Sequence, residues 1–107
     1  MIASNENLVM YLLEEEQRMS EETFFLYDDK ETTETRFVSF MGRNTRFDLA
    51  IVKTTRHYGK SLVLNMLGSH YAIIGQDDLE EEGYLEHAFN LTEEDAMELR
   101  DFLSDVV

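Results

Sequence analysis

The chain has 107 residues, 43% of them apolar, with seven Phe, five Tyr and a formal net charge of −14. That length holds one domain with one core, and the apolar content is too high for an intrinsically disordered chain despite the charge. With no cysteine, disulfides, thiolate metal sites and Cys nucleophiles are excluded, and the longest apolar run, residues 8–13, falls far short of the roughly 20 needed to span a bilayer.

The opening Met1-Ile2-Ala3-Ser4-Asn5-Glu6 has no basic n-region of a signal peptide, so the expectation is a cytoplasmic protein with no membrane partner. Residues 5–19 read as a helix with Leu8, Tyr11, Leu12 and Met19 on one side, its apolar residues crowded into the first half. Residues 1–22 are therefore an N-terminal helical segment, to be docked on the sheet or used in assembly. From residue 23 the period changes to two. Residues 23–28, 35–41, 45–53, 61–67 and 70–74 are short runs rich in Phe, Tyr, Val, Ile and Thr. The connections between them are too short for crossover helices, so neighbouring strands should pair antiparallel as a meander.

Six of the nine Lys and Arg residues fall within residues 36–60, which hold a single acidic residue. Arg36, Arg43, Arg46, Lys53, Arg56 and Lys60 are interleaved there with Phe37, Phe40 and Tyr58. Basic groups beside exposed aromatics on a sheet are how single-stranded nucleic acids are held, by phosphate neutralisation and base stacking. Two hairpin registers are open. If Met41 pairs with Thr45, then Phe37, Phe47, Leu49 and Ile51 point inward, and Arg36, Phe40 and Arg46 share the other face. If Gly42 pairs with Thr45 across Arg43-Asn44, Val38 and Phe40 join the core and Phe37 is left outside. Either register puts an aromatic on the face of Arg46. The plainer reading is that these cations pair with the protein's own carboxylates, since a body of −14 repels a polyanion at long range.

Gly59-Lys60-Ser61 resembles the end of a P-loop, but Thr54 stands where the first glycine belongs and a strand follows instead of a helix. His57, His70 and His87 have no ligand spacing, the acidic runs do not fit a calcium loop, and no Ser–His pairing suggests a nucleophile. The expectation is therefore no enzyme, no metal and no cofactor.

Residues 76–83 read as an acidic loop and 84–91 as a short strand or helical turn. The last element is a helix. Thr92 is its N-cap, Asp95 stands at the capping-box position, and Ala96, Leu99, Phe102, Leu103 and Val106 form one apolar stripe. Together these elements predict a single α+β domain over residues 1–107. Its mainly antiparallel sheet has about five strands, with the C-terminal helix packed on one face and a helix at the N-terminus.

Phe24-Phe25-Leu26-Tyr27-Asp28-Asp29, Arg46-Phe47-Asp48-Leu49-Ala50-Ile51-Val52, Ala72-Ile73-Ile74-Gly75 and Gly83-Tyr84-Leu85-Glu86-His87-Ala88-Phe89 resemble a family of small cytosolic proteins of unknown function from bacilli and staphylococci. The resemblance covers residues 23–105. It implies a bacterial cytosolic origin and no particular activity or site residue. The functional expectation is a noncatalytic binding or adaptor module, self-associating as a homo-oligomer, with an unidentified protein partner. The alternatives are a single-stranded nucleic-acid binder using residues 36–60, or an acidic nucleic-acid mimic that binds a basic protein.

Overall fold

A computed structural model describes residues 23–107. The chain divides into two compact units, Met1–Glu31 and Thr32–Val107. The described part of the first holds no regular element, and its Phe24, Phe25, Leu26 and Tyr27 are exposed.

The second unit is a four-stranded antiparallel meander in the order β1-β2-β3-β4 followed by three helices. The strands are β1 Glu34–Met41, β2 Arg46–Lys53, β3 Ser61–Asn65 and β4 His70–Ile74, and the helices α1 Gln76–Leu79, α2 Tyr84–Phe89 and α3 Glu93–Leu103. This corrects the expected architecture. The first described element is a strand, not a helix, and the sheet has four strands, not five. The helix expected over residues 5–19 lies outside the described residues. Residues 23–28 were expected to be a strand because of their aromatics. Such a propensity reflects fit to a half-buried pleated surface, and here the four large side chains are exposed. The acidic segment after Gly75 is also not all loop, since it contains α1, and the residues 84–91 resolve to a helix.

The β1–β2 register is the second of the two foreseen: Phe40 faces Phe47, Val38 faces Leu49, and Gly42 N–H donates to Thr45 O at 2.7 Å. The inward residues Phe47, Leu49, Ile51, Val63 and Ile74 then meet Leu79, Leu85, Phe89, Ala96, Leu99 and Leu103 from the helices in one core. Thr92 caps α3 by accepting from Asp95 N–H at 3.1 Å. The Asp95 carboxylate does not complete the capping box; its Oδ2 accepts instead from the Thr45 hydroxyl at 2.6 Å.

Leu99 is fully buried in this core, so Leu99→Ala should lower stability by about 2–5 kcal/mol in denaturant unfolding. A loss below about 0.5 kcal/mol, within the range of surface changes, would place α3 away from the sheet.

Candidate functional site

Side chains alternate across a strand, so the residues between the core positions form the other face of the sheet. The ladders align them in rows. Phe37, Ala50, Leu64 and Tyr71 stand side by side across all four strands, and Thr35, Val52, Leu62 and Ile73 form the next row. No helix of the described residues covers these rows. Phe37 is 73% exposed, Tyr71 70% and Ile73 40%. Beyond the rows Arg46 Nε meets Asp48 Oδ1 at 3.1 Å, and Ser39 Oγ donates to the same oxygen at 2.5 Å. The Ser39 bond, with Arg46 against a smaller opposing effect of burial, holds the Asp48 carboxyl below its ordinary value.

The basic segment does not gather into one patch. Arg46 and Phe37 share the open face and line one shallow depression with Ser39 and Asp48. Phe40 is on the helix side, stacked on Phe47 at 5.1 Å and against Phe102 at 5.0 Å, and the Arg36 guanidinium lies over the Phe102 ring at 5.6 Å. Lys53 is on that side too, where it faces Glu34 across the ladder. Both line a groove of about 450 Å³ with Arg36, Ile51 and Asp105, and its charges of both signs favour neither an anion nor a cation. Arg43 sits in the β1–β2 turn, 3.7 Å from Glu94. Arg56, Tyr58 and Lys60 belong to the β2–β3 connection, where Tyr58 is 97% exposed. Lys60 N–H closes the turn on His57 O at 3.0 Å, with Tyr58 and Gly59 both at positive φ. That tight turn into β3 is what the residues resembling a P-loop build.

Lys60 also anchors the start of α1. Its ammonium lies 3.0 Å from Asp78 Oδ2 and 3.7 Å from Asp77. The same Asp78 oxygen accepts from Gly75 N–H at 2.8 Å. A Cβ at Gly75 would stand 3.0 Å from the Lys60 stem and 2.9 Å from the Asp77 carboxylate, so those side chains would have to shift to admit one. Burial pushes the Asp78 carboxyl up, but the Gly75 bond and Lys60 together outweigh it and hold it below its ordinary value. Asp78 in turn, against some desolvation, raises Lys60. This is a structural ion pair.

Among the described residues no group of three or more His, Asp or Glu is placed to hold a metal ion, and no helix is long and apolar enough to cross a membrane. What the geometry offers is surface. A profile of SAV0927-like proteins matches residues 26–105. The chain belongs to the SAV0927-like family. That family, of bacilli and staphylococci, is the one the sequence resembled, and no function is assigned to it. Among curated proteins nothing matches the chain. In this SAV0927-like fold the most distinctive feature is the open face, and of its residues only Phe37 and Arg46 stood out in the sequence. Tyr71, Ile73, Leu62 and Leu64 were hidden in runs of consecutive apolar residues, where period two is lost. Their signal is the ladder register alone.

The Asp78 carboxyl is lower in the folded chain than in the unfolded one, so its stabilisation is complete above the ordinary value of 3.8 and is lost as pH falls through the folded value. Asp78→Asn should therefore lower the unfolding midpoint at neutral pH, and its deficit should shrink once the pH drops below 3.8. A deficit that stays constant from about pH 7 to about pH 2 would show that the Asp78 charge contributes nothing.

Proposed function

We propose that this chain is a noncatalytic interaction module of the bacterial cytosol that works by self-association, through the open side of its sheet where it reaches the free edge at Phe37. The observation that carries this reading is the pair of apolar rows without a cover among the described residues. A contiguous apolar patch on so charged a protein is a candidate contact surface. Charge supports a second copy as the occupant. The outward positions of the four strands hold one acid, Asp48, and one base, Arg46, already paired at 3.1 Å. Two molecules of net charge −14 meet with least repulsion where each presents a neutral apolar surface. A homo-oligomer with two-fold symmetry is the commonest outcome of such a self-complementary patch.

Phe37→Asp tests this directly, because Phe37 makes no part of the core and its loss should leave the fold intact. Sedimentation equilibrium should show the native chain as an oligomer and the variant shifted to monomer, with unchanged circular dichroism. A native chain that is monomeric at roughly 100 μM, a concentration at which even weak dimers populate, overturns the reading.

Single-stranded nucleic-acid binding is the second reading, favoured by Phe37 and Tyr71 standing in one row with Arg46 on the same face. Weighing against it, Arg46, Arg43 and Lys60 each have a carboxylate partner, and Arg36 and Lys53 belong to the opposite face. A labelled oligonucleotide should show no anisotropy change at about 50 mM salt. A signal that weakens with salt, at a log–log slope of about −0.7 per phosphate neutralised, would make this the leading reading.

A further inference from the structure

Among the described residues the sheet has two free edges, β1 and β4. They differ. The β4 strand has five residues, and its Ile73 carbonyl accepts from Tyr84 Oη at 3.3 Å. The β1 strand has eight residues, contains neither Gly nor Pro, and pairs with β2 residue for residue without a bulge. It has no Pro, bulge or shortness to blunt it, and its only charges, Glu34 and Arg36, are of opposite sign.

The direction of its free backbone groups follows from the turn. Gly42 N–H donates to Thr45 O, which makes those two residues a hydrogen-bonded pair. Antiparallel ladders alternate, so Phe40, Val38, Arg36 and Glu34 also spend their backbone groups on β2. Those of Thr35, Phe37, Ser39 and Met41 point away. The neighbouring ladder keeps the same parity, since Asp48 O turns the other way and accepts from Met66 N–H on the β3 side at 2.9 Å.

We propose that two copies of the chain join along β1, antiparallel and two-fold symmetric about Phe37, into one eight-stranded sheet; this deepens the self-association reading and rests on it. In that register Phe37 meets Phe37 of the second copy, and Thr35 and Ser39 meet each other twice. With Thr33 and Met41 pairing at the ends, the outward groups form about ten hydrogen bonds. The first apolar row of one copy, Tyr71 to Phe37, runs on into that of the other, and the most exposed aromatic of the row is covered. Arg36 stands opposite Val38 and Glu34 opposite Phe40, so no like charges oppose directly. A register centred on Thr35 would pair Glu34 with Arg36 reciprocally. It forms only about six backbone bonds, leaves Phe37 beside Thr33, and gains exposed ion pairs that contribute little.

The native chain has no cysteine, so single-cysteine variants report the register without background. Paired Cα atoms at the two-fold lie about 5.5 Å apart, within the span of a disulfide. Phe37→Cys should cross-link into a covalent dimer under mild oxidation. Thr35→Cys should not, because its two copies lie about 13 Å apart. Thr35→Pro removes an outward N–H and an exposed hydroxyl contact to Thr33 but no bond to β2, and should weaken the dimer by about tenfold or more with an unchanged circular dichroism spectrum. Cross-linking of Thr35→Cys or Tyr71→Cys in place of Phe37→Cys overturns the edge pairing while leaving self-association standing. A native chain that sediments as a monomer overturns both.

Discussion

The contact on which the rest of the structure depends is made by three carboxylates at the start of α3 with the turn between β1 and β2. Glu94 accepts from Asn44 Nδ2 at 2.9 Å, Asp95 from Thr45 Oγ1 at 2.6 Å, and Glu98 from Arg43 N–H at 3.0 Å. Bonds to charged acceptors are stronger than neutral ones, and Asp95 is buried, so leaving it unpaired would be costly. Gly42 gives the Glu98 carboxylate room, since a Cβ there would collide with it. Pinned at this end, α3 brings Phe102 over Phe40 two turns later and sets the ring beneath the Arg36 guanidinium. Once Phe40 and Val38 are held inward, alternation sends Phe37 outward.

The same contact explains how a chain with a large acidic excess uses its few cations. Arg43 sits in the turn that α3 clamps, Arg46 neutralises the one acid of the open face, and Lys60 holds the loop before α1. Arg100, the only base of α3, donates from Nε to Leu79 O at 2.9 Å and ties that helix to the end of α1. Gln76 closes the far end through Ser104 O at 3.0 Å. Arg43, Lys60, Arg100 and Gln76 each fix where a helix lies on the sheet, and all three helices pack into the core on the same side. The clustering of basic residues along the sequence is therefore largely a consequence of turns and hairpin ends that need counter-charges for nearby carboxylates.

Four strands and the last helix were legible in the sequence because each has a local signal: period two between turn residues, or Thr92 ahead of a helical apolar stripe. The register of the first hairpin was legible only as two alternatives. The turn residues Gly42 and Thr45 are compatible with both, and the deciding interaction comes from α3, some fifty residues away. Asp95 could be placed at the capping position, but its bond to Thr45 depends on a tertiary neighbour. The run Phe24 to Tyr27 misled for the opposite reason. It has the composition of a strand, yet a strand exists only where a ladder partner stands beside it, and composition cannot supply one. The short helices α1 and α2 lacked the length for a periodic signal.

An exposed apolar face on a chain of this charge is less hazardous than it would be on a neutral one. The carboxylates of the described strands, Asp48 included, lie off the two apolar rows. Two copies in arbitrary orientations therefore repel once they approach within about a Debye length, about 8 Å at physiological salt. Inside that distance, attraction must come from short-range contacts formed in register, which a bulge-free eight-residue strand can provide and a random collision cannot. Ala50 adds to this selectivity. Set at the middle of the row between Phe37 and Leu64, and only 5% exposed, it leaves a shallow strip between larger neighbours and not a smooth greasy plane. Charge at long range and backbone geometry at short range thus act in sequence. In the proposed dimer the first would suppress indiscriminate association, and the second would permit the one approach in which the outward N–H and C=O groups of β1 find partners.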